Sequence, residues 1–184
     1  MKKLRVLALA MVLMAAVSVA FAQNFQRLQA ALVGFEEPPA ISTVGSGEFE
    51  ARINNDETEI AYELSYSGLE STVTQAHIHL GQRGVNGGIS VFLCTNLGNG
   101  PAGTQPCPPS PATIKGTITA SDVSPPIAAT AAARAQGLDT GELNELIRAI
   151  RAGMTYTNVH STTFPGGEVR GQISPGEGQR HEHD

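Results

Sequence analysis

GEFEARINNDETEIAYELSYSG, residues 47–68, carries the clearest structural signal in the chain. Phe49, Ala51 and Ile53 alternate with Glu48, Glu50 and Arg52, and Ile60, Tyr62, Leu64 and Tyr66 continue the alternation after a polar break. A period of two sends successive side chains to opposite faces of a pleated strand. The stretch therefore reads as two half-buried antiparallel strands, with NNDE between them as a hairpin turn.

The same pattern extends outward from this hairpin. FQRLQAALVG (25–34) precedes it and ends at the turn-like EEPPA, where Glu36-Glu37 read as turn residues ahead of prolines. TVTQAHIHL (72–80), GISVFLC (88–94), ATIKGTITA (112–120), MTYTNVHS (154–161) and GEVRGQIS (167–174) follow, the last two joined by FPGG. Short strands at this spacing predict a mainly β, antiparallel sandwich or barrel. One helix interrupts them near 140–152: TGELNELIRAIRAG places Leu143, Leu146, Ile147 and Ile150 at helical spacing, with Asp139 or Thr140 as cap and Gly153 as stop. PPIAATAAARAQG before it reads as a helical turn or a loop. No internal repeat is present, so residues 23–174 are expected to form a single domain. The tail 175–184, PGEGQRHEHD, lacks periodicity and is expected to be disordered, its His181, His183 and Asp184 offering only loose metal contacts.

The first 22 residues read as a secretory signal peptide: a basic start at Lys2, Lys3 and Arg5, an apolar run, and Ala20-Phe21-Ala22 as a small-x-small cleavage pattern. The protein is thus expected to be exported, to the periplasm or beyond, with no membrane span in its mature part. Without the leader, nine basic side chains face seventeen acidic ones, a net charge of −8. That balance argues against nucleic acid, whose phosphates need a basic patch, and suits a soluble exported protein or a cation binder. Cys94 and Cys107 are the only cysteines. In an oxidising compartment they are expected to form a disulfide closing CTNLGNGPAGTQPC, with thiolate metal ligation as the alternative.

Five histidines occur, and three lie on predicted strands. In TVTQAHIHL, His77 and His79 share a face with Gln75, opposite Ala76, Ile78 and Leu80. Residues i and i+2 of one strand stand about 6.5–7 Å apart at the backbone, close enough for both imidazoles to reach one ion. In YTNVHS, Tyr156, Asn158 and His160 share a face opposite Thr157 and Val159. If the apolar sets face the core, all three histidines point away from it. Pairing of the two strands would then complete a three-histidine surface site, with Glu168 or a water as fourth ligand. Neutral imidazoles suit copper or zinc rather than calcium or magnesium, and export favours copper with zinc next. The bland reading is three solvated or hydrogen-bonded strand histidines.

Three stretches carry a family resemblance: LVGFEEPPAISTVGSGEFEARI, AHIHLGQRGVNGGISVFL, and YTNVHSTTFPGGEVRGQI, together with IKGTITASDV between them. They resemble the CHRD domain, named from the chordin family and common as a single copy in exported bacterial proteins. The resemblance spans about 28–173. It implies an immunoglobulin-like or Cu,Zn superoxide dismutase-like Greek-key β-sandwich, and the family's recurring histidines fall on His77, His79 and His160. Three functions follow as expectations. The first is a non-enzymatic metal-binding domain of the cell envelope. The second is an adhesion or interaction module with an extracytoplasmic protein partner and no metal. The third is a copper-only redox enzyme of superoxide dismutase type, with Arg170 drawing in an anionic substrate; it lacks a fourth copper histidine and a zinc-loop cluster.

Overall fold

A computed structural model of the chain describes residues 26–176. The expected signal peptide, 1–22, and the tail from 177 onward lie outside these described residues. The strands are β1 (Gln26–Val33), β2 (Ser46–Ile53), β3 (Ile60–Ser67), β4 (Val73–Leu80), β5 (Gly88–Thr95), β6 (Ala112–Ile118), β7 (Thr155–Ser161), β8 (Val169–Gln172) and the two-residue β9 (Ser174–Pro175). The alternation in 47–68 does what a half-buried strand requires: Phe49, Ala51, Ile53, Ile60, Tyr62, Leu64 and Tyr66 are buried, while Glu48, Glu50 and Arg52 are exposed. β2 and β3 pair in register from Ser46↔Ser67 to Ile53↔Ile60.

All strands belong to one antiparallel sheet of order β5-β4-β7-β8-β1-β2-β3-β6, with β9 added on β1. Consecutive strands β3 and β4 lie far apart in that order, so the chain crosses between β3 and β4, as it does again between β5 and β6. The fold is mainly β and nearly closed. The sheet curls until its end strands β5 and β6 approach across one apolar core, to which β1 gives Leu28 and Leu32, β4 Ile78, β5 Leu93, β6 Ile118 and β7 Val159. The gap between the end strands is bridged by side chains. Tyr62 Oη donates to Leu93 O at 3.1 Å, and Gln105 Nε2 donates to Leu93 O and Lys115 O at 3.1 and 3.2 Å. Cys94 and Cys107 form a disulfide across Cα atoms 5.1 Å apart, fastening the 96–106 loop to β5 beside that gap.

Helix α1 (Ala131–Ala135) lies in the alanine-rich stretch, and α2 (Leu143–Arg151) is the expected helix. Leu143, Leu146, Ile147 and Ile150 are buried in the core shared with the strands, each such burial contributing about 1.5–3 kcal/mol. Gly153 ends the helix region at φ 69°, as expected. The caps differ from expectation. Thr140 Oγ1 donates to Ser124 O, 2.7 Å away, and the Asp139 backbone N–H donates to Glu142, so neither side chain caps α2. The Thr140 hydroxyl is drawn off to the loop at Ser124, and Glu142 takes the N-cap position. Among the described residues no helix is long and apolar enough to cross a membrane.

Candidate metal centre

β4 and β7 are neighbours, and their register decides where the histidines go. Gln75↔His160, His77↔Asn158 and His79↔Tyr156 are paired positions, so all these side chains leave the same face of adjacent strands. Ala76, Ile78 and Val159 leave the other face and are fully buried. The pairing with β5 on the other side of β4 is irregular at the same place, between Ala76 and His77 and between Ile78 and His79. One ring nitrogen from each of His77, His79 and His160 falls within 4.8 Å of the other two.

The hydrogen bonds assign the ring protons. His79 Nδ1 is 2.9 Å from Gly87 O, and His160 Nδ1 is 2.9 Å from Pro165 O. A carbonyl oxygen only accepts, so each Nδ1 carries the hydrogen and each Nε2 presents a lone pair. Both Nε2 atoms point inward, 3.1 Å from Asn158 Oδ1. His77 Nδ1 faces His160 Nε2 at 3.3 Å, whereas His77 Nε2 is buried without a partner. Phe92 packs edge-on against the His77 ring at 4.5 Å.

Burial keeps the three rings uncharged. Desolvation, joined by His79 and His160, holds His77 well below its ordinary value of 6.5. Desolvation pushes His79 down to about 4 and outweighs its bond to Gly87, and it lowers His160 too. His79 and His160, neutral and tied outward through Nδ1–H to backbone carbonyls, have what a metal-ligating histidine needs. The residues present fit a transition-metal ion.

The family model for the CHRD domain matches residues 28–173, which span both histidine strands, both cysteines and the 164–172 stretch. The chain belongs to the CHRD family. Neither a curated protein nor a solved structure matches it.

In this CHRD domain the histidine face turns away from the apolar core, as alternation requires, yet it is not a surface. His77, His79 and His160 are 0%, 7% and 6% exposed. β7 is buried along its whole length because three loops lie over its polar face. The 34–45 loop brings in Glu37, the 81–87 loop brings Gly87 O, and the β7–β8 turn brings Pro165 O. Arg83 and Glu36 pair outside them and join the first two loops.

Two accessory residues are placed differently from expectation. Glu168 is buried, but its Oε1 accepts from Thr43 Oγ1 at 2.9 Å and from Glu70 N at 2.8 Å, so it anchors two loops and stands outside the histidine cluster. Arg170 is 1% exposed. Its guanidinium lies over the Tyr156 ring at 3.3 Å and donates to Gln82 O and Val85 O, so it braces the covering loop and is not free to guide a substrate from solvent. Tyr156 in turn stacks on His79, centroids 4.6 Å apart and planes within 4°.

Sequence reasoning missed Asn158 and Glu37. Asn158 Nδ2 donates to Glu37 Oε1 at 3.3 Å, linking the carboxylate to the histidines. Burial raises Glu37 to about 7, against the opposing influence of Asn158 and Arg170. For Asn158 a signal existed, since it shares a face with His160 two residues away. Glu37 had none, because a turn before two prolines says nothing of what lies beneath it.

Proposed function

We propose that this CHRD domain is an exported, non-enzymatic metal-binding protein holding one transition-metal ion, copper ahead of zinc, between His77, His79 and His160. One observation carries the reading: three neutral, buried imidazoles converge, and those of His79 and His160 commit their Nδ1 hydrogens outward to Gly87 O and Pro165 O and turn their Nε2 lone pairs inward. Two inward lone pairs on buried, neutral rings are what a transition-metal ion would take up. Three imidazoles without a thiolate or carboxylate in the cluster suit copper or zinc and do not suit calcium or magnesium. The leader-like first 22 residues and the acidic composition support export and a cation-rich setting. The burial of Arg170 weighs against the redox-enzyme reading, which needed it at the entrance.

Titration of the purified mature protein with Cu(I), Cu(II) and Zn(II) tests the proposal. One equivalent should bind with micromolar or tighter affinity, and His77→Ala and His160→Ala should abolish it. Equal, weak binding in all three proteins would show that the histidines form only a hydrogen-bonded layer.

A further inference from the structure

Asn158 occupies the place where a fourth donor would stand. Its Oδ1 is 3.1 Å from His79 Nε2 and 3.1 Å from His160 Nε2, and His160 Nε2 is 3.3 Å from His77 Nδ1. The edge of a tetrahedron drawn round an ion with bonds of 2.0–2.1 Å is roughly 3.3–3.4 Å. These three contacts are close to the length of edges of one coordination polyhedron, and the three histidine nitrogens as a set lie within 4.8 Å of one another, so the remaining edges would draw in round an ion. With the amide oxygen turned inward, two of them fail as ordinary hydrogen bonds, because an oxygen facing two imidazole lone pairs has no hydrogen on either side.

The direction of the amide is fixed from behind. Nδ2 lies 3.3 Å from Glu37 Oε1, and an amide hydrogen is accepted by a carboxylate or by the carbonyl oxygen of a protonated carboxyl, so with the NH2 end on Glu37 the oxygen turns inward. Glu37 is 6% exposed and cannot swing away freely. Its carboxylate fills the space over Gly167, where a Cβ would collide with it. The FEEPP turn and the PGGE turn, remote in sequence, thus meet to orient one amide. Glu168, the acidic residue of the second turn, commits its Oε1 to Thr43 and Glu70 instead.

We propose, on the basis of the metal reading above, that Asn158 Oδ1 is the fourth donor and that Glu37 is its positioning residue. The donor set is then three nitrogens and one oxygen. A carbonyl oxygen is a hard donor that adds to the binding of a divalent ion and little to that of Cu(I). The site is accordingly selective for Zn(II) or Cu(II) over Cu(I) beyond what three histidines alone provide. The rival arrangement has the amide reversed, Nδ2 donating to both histidines and the oxygen accepting from protonated Glu37. In that case Asn158 caps an empty site and is no ligand.

Co(II) reports coordination directly, since four-coordinate sites give far more intense visible absorption than six-coordinate ones. The full mature chain, Asn158→Leu and Asn158→Asp are titrated with Co(II), then competed with Zn(II), and Cu(I) is measured separately against a chromophoric chelator. The wild type should show an intense four-coordinate spectrum. Asn158→Leu should lose that intensity and bind Co(II) and Zn(II) at least about tenfold more weakly, with Cu(I) affinity changed less than about threefold. Asn158→Asp, which keeps an oxygen, should retain the intensity with shifted bands. An unchanged spectrum and affinity in Asn158→Leu would overturn the fourth donor and leave the three-histidine site standing. Absence of any metal binding by the wild type would overturn both. Should Asn158→Leu fail to fold by circular dichroism, the aspartate variant decides alone: bands identical to wild type would overturn the proposal.

Discussion

Two buried residues in the covered layer answer acid in opposite senses. His79 is held at about 4 in the fold against 6.5 when unperturbed. As pH falls below 6.5 the unfolded chain takes up a proton that the fold refuses, so this stability is complete above 6.5 and is lost toward 4. Glu37 is raised from 4.5 to about 7, so the fold keeps a proton that the unfolded chain releases. Its contribution is complete below 4.5 and is lost as pH rises toward 7. Between 4.5 and 6.5 the two offset one another, each with a slope of at most about 1.4 kcal/mol per pH unit. Glu37→Gln removes one side of the balance. In metal-free protein its stability should fall more steeply than that of wild type from pH 6.5 to 4.5, by up to about 1 kcal/mol per unit. Denaturant midpoints at several pH values, measured with chelator present, check this, and parallel curves would contradict it.

Turns and strands divide the work between them. Strands place the histidines, and turns decide whether they are wet. Gly167 has φ 126° and no room for a Cβ beneath Glu37, whereas its neighbour Gly166 faces open space. Gly167→Ala should cost about 1–3 kcal/mol and weaken metal retention by displacing Glu37, while Gly166→Ala should stay within about 0.5 kcal/mol. Chemical denaturation and metal titration of the two neighbours read the contrast. The 94–107 crosslink acts at the same scale. Cys94→Ser with Cys107→Ser frees the loop that carries Gln105 across the sheet gap, and should lower stability by about 3 kcal/mol. A midpoint unchanged from wild type would show that Gln105 and Tyr62 hold the seam alone. The strands were legible because alternation is a local signal: Phe49, Ala51 and Ile53 declare their face without reference to any partner. The same rule turned His77, His79 and His160 away from the core. It could not say that the face they turn to is roofed, because the roof comes from the 34–45 and 81–87 loops and the β7–β8 turn, whose position is set by pairing across the whole sheet. For that reason Glu37 passed as a turn residue and Arg170 as a surface guide.

At the scale of the molecule the metal reading becomes a statement about stability. The cluster draws on β4 and β7, and its outer hydrogen bonds reach the β4–β5 loop and the β7–β8 turn, so an ion there would tie together parts of the sheet that the unfolded chain cannot bring into register. Ligand that binds the fold and not the unfolded chain stabilises by about 2.7 kcal/mol at one hundred times its Kd. For a domain of this length that corresponds to a rise in Tm of roughly 5–10 °C. Metal held by the excess acidic side chains or by His181 and His183 would not depend on the fold in the same way and should not move Tm comparably. Thermal unfolding with and without Zn(II) or Cu(II) at a free concentration about one hundred times Kd separates these sources. The shift should appear in wild type, survive deletion of 177–184, disappear with chelator, and be absent in His77→Ala and His160→Ala. A shift of equal size in the histidine variants would place the metal elsewhere on the molecule, and the layer over β7 would then be a polar brace between sheet and loops.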